Sequence, residues 1–137
     1  RTVHIALVKG DVGGKAEPLV RVHILDTLGD ALGIEGPGLG WPVSSAIERI
    51  SHEDAGIVIL LRDQESARDL MEAVDGLGSG SDELKDKRSG DAVLRTYGVG
   101  AQIVKDLSVK RMRVLSAPKQ MYAISGFDLE ISEYVER

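Results

Sequence analysis

The segment VLSAPKQ at 114–120 places a hydroxyl, Ser116, and an ammonium, Lys119, on either side of a proline. It follows the strand-like run RMRVL, and Pro118 suits the first turn of a helix. A hydroxyl and a lysine at such a strand-to-helix junction can hold an anion, because unpaired backbone amides and the positive end of the helix dipole converge there. The same residues also compose an ordinary N-cap followed by proline, and the local pattern fits both readings.

Other chemistry-bearing stretches are weaker. KGDVGGKAE at 9–17 resembles a phosphate-binding P-loop only in outline: the required first glycine falls on Lys9 and the required hydroxyl on Ala16, so a plain turn accounts for its glycines. GPGLG at 36–40 lacks the third glycine of a dinucleotide fingerprint. His4, His23 and His52 are too dispersed to indicate a metal site by spacing. His23 lies between apolar strand neighbours, where a hydrogen-bonded structural role is the expected one. Cysteine is absent, which removes disulfides, thiolate nucleophiles and thiolate metal sites together. No nucleophile elbow supports a Ser-His-Asp triad.

The composition narrows the partners. With 137 residues, 42% hydrophobic and 28% charged, the chain has the make-up of one soluble domain, residues 1–137. A net charge of −5 and 4% aromatic residues argue against a nucleic-acid surface, which needs a basic face or exposed rings. No apolar run approaches the length of a membrane span, and a cytoplasmic address is expected. The start at Arg1 instead of Met is read as a piece of a longer polypeptide.

These residues must be positioned by an α/β fold. TVHIALVK at 2–9 and PLVRVHIL at 18–25 are β-branched runs joined by a turn-rich connection, and they are expected to pair as an antiparallel hairpin. Val43, Ala46, Ile47 and Ile50 follow helical spacing, with Ser45 and Glu48 as a capping box. GIVILL at 56–61 reads as a strand buried on both faces. A second helix is expected over 63–75, with Ala67, Leu70, Met71 and Val74 facing the core and Gly76 as its stop. The segment 76–91 has little apolar surface and is expected to be a mobile loop. A helix over 91–107, the strand RMRVL, a short helix from Pro118 to Gly126 and the alternating FDLEISEYV complete the expected order. The fold class is therefore α/β, a mixed sheet with an N-terminal antiparallel hairpin and alternating helices and strands.

Three segments in order, VHIALVKGDVGG with PLVRVH, LRTYGVGAQIVKDLSVKRMRVLS, and APK leading into GFDLEISEYVER, resemble GTP cyclohydrolase II of riboflavin biosynthesis, essentially end to end. In that family RVHSEC leads into a loop ending RCDCG, whose cysteines hold a zinc ion that activates water to open the guanine imidazole ring. Here RVHILD leads into GIEGPGLG, and the cysteine positions fall on Asp26, Pro37 and Leu39, while Arg21, Val22, His23, Gly29, Asp30 and Gly40 match. Proline and leucine side chains have no ligand atoms, so the loop is expected to hold no zinc.

The other family motifs are altered as well. RQEGRGIGL, which contributes to nucleotide binding, corresponds to RDQESARDL at 62–70, keeping Arg62 and Leu70; a one-residue shift would match Gln64 and Glu65 instead. DxRDYG becomes VLRTYG, which retains Arg95 and Tyr97 but places Val93 at the aspartate position. Valine has no ionisable group, so a base role there is lost. TNNPKK becomes SAPKQ, with Ser116 and Lys119 kept.

The resemblance thus implies a degenerate domain of the kind fused behind 3,4-dihydroxy-2-butanone 4-phosphate synthase in bifunctional proteins. Its implied partners are that synthase domain in the same chain and a second copy of itself. Arg62, Arg95, Ser116 and Lys119 would form a residual pocket for GTP or a phosphorylated metabolite, with magnesium only as the companion of a bound nucleotide. The alternative implied by the same resemblance is an active cyclohydrolase with an atypical metal site, such as His23 and Asp26 around a divalent cation.

Overall fold

Two apolar runs, LVRVHI and GIVILL, form the centre of the protein, and their alternating side chains feed two separate cores. The computed structural model describes residues 2–14, 16–35, 40–62, 65–79, 90–116 and 128–136, except the side chains of 78–79 and 90–95. Five strands, β1 (Ile5–Lys9), β2 (Leu19–Ile24), β3 (Gly56–Leu61), β4 (Arg111–Val114) and β5 (Glu130–Tyr134), form one mixed sheet in the order β1-β3-β2-β4-β5. The helices are α1 (Val43–Ser51), α2 (Ala67–Ser79) and α3 (Gly90–Asp106), and a π-helical turn spans Thr27–Ala31.

Strands β3, β2, β4 and β5 are mutually parallel, and β1 is antiparallel to β3. The expected hairpin of β1 with β2 is therefore not formed: β3 lies between them, paired through Ile5↔Leu60 on one side and Val20↔Ile57 on the other. On one face Leu19, Val58 and Leu115 pack with Ala46 and Ile50 of α1. On the other, Val20, Val22, Ile57, Ile59 and Leu61 pack with Ala101 and Val104 of α3. Gly100 lets α3 come close, since a Cβ there would stand 2.7 Å from Val22 Cγ1. The α/β class is thus a three-layer arrangement with helices on both faces of a largely parallel sheet.

Several helix boundaries differ from expectation. Ser45 lies inside α1 and does not cap it; Pro42 holds the N-cap position without a side-chain hydrogen bond. Helix α2 starts later than expected, where Ser66 Oγ accepts from the Asp69 amide at 3.0 Å and Asp69 Oδ2 accepts from the Ser66 amide at 3.2 Å. This reciprocal pair fixes the start of the helix more firmly than the apolar spacing does. The helix also runs through Gly76 to Ser79, and α3 begins at Gly90, so the segment expected as a loop over 76–91 is helical at both ends. Its middle, 80–89, lies outside the described residues. Met71 and Val74 are exposed, at 67% and 50%, and among the described residues α2 packs chiefly against the π-helical turn. The short helix expected from Pro118 to Gly126 lies outside the described residues. No helix among the described residues is long and apolar enough to cross a membrane.

Candidate functional site

Parallel strands β2 and β3 end in register, at Ile24↔Leu61, whereas β4, which runs the same way, ends at Val114 opposite Val20, so the residue after it lies short of the other two. Asp26 follows β2, Arg62 follows β3 and Ser116 follows β4. The chain leaves β2 toward β3 and leaves β4 toward β5, so connections diverge at the β2/β4 boundary. Ligand crevices in open α/β sheets form at such a divergence, outside the carboxyl ends of the strands.

The sequence-derived residues are distributed unevenly around this edge. Arg62 is exposed, and its amide donates to His4 Nδ1 at 3.0 Å. Ser116 is buried, 3% exposed. Arg95 lies within α3, and Tyr97, two positions on, is half-buried against the α3-side core. Lys119, Pro37 and Leu39 lie outside the described residues. Asp26 and Arg62 thus follow the carboxyl ends of neighbouring strands, Ser116 lies further back in register after β4, and α3 carries Arg95 and Tyr97.

At the centre is a polar relay that starts within β2. Arg21 and His23 are two apart, so they project from the same face of the strand, and both are buried. Arg21 Nε and Nη2 lie 3.2 and 3.1 Å from His23 Nδ1, while Nη1 donates to the Leu115 carbonyl at 3.0 Å and Nη2 reaches the Trp41 carbonyl at 3.4 Å. Burial draws the Arg21 guanidinium below its ordinary value, against the raising influence of Tyr97, Asp30 and Asp26. A guanidinium has only donors, so His23 Nδ1 must accept and the ring proton sits on Nε2. That nitrogen donates to Asp30 Oδ2 at 2.8 Å.

Asp30 joins three elements. Oδ2 also accepts from the Asp26 amide at 2.9 Å, and Oδ1 accepts from the Val43 amide at 2.8 Å, closing the otherwise uncapped start of α1. Burial is the largest single influence on its carboxyl and opposes ionisation. The hydrogen bonds from His23, Asp26 and Val43 outweigh it and hold the group below its ordinary value. Asp26 Oδ1 accepts from the amides of Gly29 and Asp30 at 2.8 and 3.2 Å, as N-cap of the π-helical turn. Thr27 is tied to the loop after β3, its Oγ1 donating to Glu65 Oε1 at 2.6 Å and its amide reaching Glu65 Oε2 at 3.4 Å.

These contacts decide whether the residues fit a zinc ion. At the first of the family's ligand positions, the Asp26 carboxylate is turned onto two amides, and both nitrogens of His23 are engaged within the protein. The other two positions carry residue types without donor side chains, and no thiolate exists anywhere in the chain. Among the described residues, no group of three His, Cys, Asp or Glu side chains could hold a metal. The donor set does not fit zinc.

Arg21 and Asp30 match the family's loop motif, and Glu65 its nucleotide-binding motif under a one-residue shift, but the hydrogen-bonded roles of these residues and of Thr27 are not readable from the sequence. The nearest signal was the polar pair Arg21 and His23 inside an otherwise apolar strand, since buried polar groups require partners.

The chain matches the GTP cyclohydrolase II family over residues 1–136. It is 39% identical over 133 residues to a 3,4-dihydroxy-2-butanone 4-phosphate synthase of Pseudomonas aeruginosa, covering 97% of this chain and 35% of that protein. It is 36% identical over 134 residues to the synthase of the same name from Photobacterium phosphoreum, covering 97% of this chain and 35% of the relative. To riboflavin biosynthesis protein RibBA of Bacillus cereus it is 34% identical over 138 residues, covering 96% and 35%. The chain spans about a third of the length of these relatives. With a match over nearly its whole length and a mixed α/β sheet consistent with it, the chain belongs to the GTP cyclohydrolase II family of riboflavin biosynthesis.

Proposed function

We propose that this chain is a degenerate GTP cyclohydrolase II domain that does not open the guanine ring and acts as a regulatory or dimerising partner of a 3,4-dihydroxy-2-butanone 4-phosphate synthase domain in the same polypeptide. The observation that carries this reading is the orientation of Asp26: where the family places its first metal ligand, the carboxylate serves as a cap for the amides of Gly29 and Asp30. Val93 at the aspartate position of the DxRDYG motif removes a proton-transfer group independently of the metal. Relatives of which the chain covers about a third are named as synthases, which supports the linkage to that activity.

Within this reading, Arg62 and Ser116 at the strand ends, with Arg95 and Lys119, favour a residual pocket for GTP or another phosphorylated metabolite. Binding there would regulate the attached synthase to the extent that its two states differ in affinity. A working cyclohydrolase with a cation on His23 and Asp26 is disfavoured, because a metal would first have to break the Arg21–His23–Asp30 relay and the Asp26 cap.

The test is formate release from GTP in the presence of zinc, magnesium or manganese, alongside calorimetric titration with GTP. The expected result is no turnover, with saturable GTP binding weakened by Arg95→Ala. Turnover abolished by Arg95→Ala would overturn the proposal. Absence of binding up to millimolar GTP would remove the GTP-sensing role and leave the dimerising one.

A further inference from the structure

We infer that Asp26, at the position of the family's first metal ligand, joins Asp30, which the family shares, and Glu65 in a carboxylate brace that holds residues 26–30 after β2 without a metal. The inference rests on the metal-free reading above and assigns to Asp26 the ordering that a metal ligand there would otherwise supply.

A metal-closed loop draws its order from ligand bonds, and a glycine-rich segment deprived of them would have to offset its ordering entropy in another way. Here three carboxylates accept from the backbone along the loop. Asp26 takes the amides of Gly29 and Asp30, Asp30 takes those of Asp26 and Val43, and Glu65 takes the amide and hydroxyl of Thr27. Hydrogen bonds from amides to ionised carboxylates are stronger than neutral ones.

The contacts also lie at the points that a loop closure requires. Asp30 ties the end of β2, through His23, to the first residue of α1. Glu65 ties the same loop to the segment after β3. Asp26 organises the turn between these two attachments. Aspartate at a cysteine position thus exchanges a side chain that would bind a metal for one that binds the loop's own amides.

The experiment combines metal analysis of the purified 137-residue chain, thermal melts with and without EDTA or added zinc, and amide hydrogen exchange by NMR. No stoichiometric metal and a melt unmoved by EDTA are expected. In Asp26→Ala the Gly29 amide should exchange about 5- to 10-fold faster, the scale of a lost helix cap, while the Asp30 amide keeps its second acceptor, the Asp26 carbonyl at 3.3 Å. Asp26→Asn should stay near wild type, because its amide oxygen still accepts. Glu65→Ala, a milder change in the same brace, should speed exchange at Thr27 several-fold.

The outcomes separate the two levels of the inference. Stoichiometric zinc whose removal lowers the melting temperature would overturn the metal-free reading. A metal-free protein in which Asp26→Ala or Glu65→Ala leaves these amides unchanged would overturn the brace and leave that reading standing.

Discussion

His23 Nε2 lies 2.8 Å from Asp30 Oδ2, and the opposite ring nitrogen faces Arg21, so a single imidazole connects the central strand to the loop that follows it. Asp30 is the more consequential partner, since its two oxygens also satisfy the amides of Asp26 and Val43. Asp30→Ala would strand three donors in a region largely closed to water. The expected loss is about 3 kcal/mol, since each unsatisfied buried group costs roughly 1–3 kcal/mol and water regains part of it. Urea denaturation should show a lower midpoint with an unchanged slope.

Arg21 provides a separate test of geometry as opposed to charge. Its guanidinium reaches His23 Nδ1 and the carbonyls of Leu115 and Trp41 at once, a span that a single ammonium cannot reproduce. Arg21→Lys keeps the charge and should still destabilise by about 2–3 kcal/mol, through acceptors left unmatched in the interior. A loss below about 0.5 kcal/mol by the same denaturation measurement would show that charge alone suffices at this position.

The legible and illegible parts of this fold have different physical origins. Strands β2 and β3 were readable because LVRVHI and GIVILL are short apolar runs, and α1 was readable from Ala46 and Ile50 at helical spacing. The pairing of β1 was not, because a local apolar pattern does not distinguish a sequence-adjacent partner strand from a distant one. The partner of β1 is distant in sequence, and the pairing brings Gly10, at φ +72, so close to Asp54, two residues before β3, that a Cβ would stand 2.1 Å from its carbonyl oxygen. Gly76 does not stop α2: it is buried within the helix, which continues to Ser79, and burial is a tertiary effect that a lone glycine in the sequence does not reveal. At the site, the missing thiolates were visible in composition. The hydrogen-bonded use of Asp26 was not, since a carboxylate near glycines is compatible with binding either a cation or amides.

Gly100 is a prediction about packing. A Cβ there would approach Val22 Cγ1 at 2.7 Å and Cγ2 at 3.4 Å, and the branched Val22 side chain on the central strand has little freedom to turn away. Alanine gains about 1 kcal/mol of helix propensity over glycine, but overpacking a core costs typically 1–3 kcal/mol. Gly100→Ala is therefore expected to destabilise by about 1 kcal/mol, seen as a fall of several degrees in melting temperature. Pairing it with Val22→Ala should recover part of the Gly100→Ala penalty, a coupling measurable by a double-mutant cycle.

The pH dependence at the far end of α1 follows from Glu53. Hydrogen bonds from Arg113, at 2.8 Å, and Arg49, at 2.7 Å, bring its carboxyl from 4.5 down to about 2. Because the folded value lies below the unfolded one, the ion pair stabilises fully above about pH 4.5 and its contribution is lost as the pH falls toward 2. Stability measured by denaturant across this interval should decline in wild type more steeply than in Glu53→Gln, which has no carboxyl to titrate. At pH 7 the variant should be the less stable of the two, and the difference should narrow as acid protonates Glu53 in the wild type. Equal slopes in the two proteins would mean that the Arg49–Glu53–Arg113 link, which joins α1 to β4, contributes nothing measurable in solution.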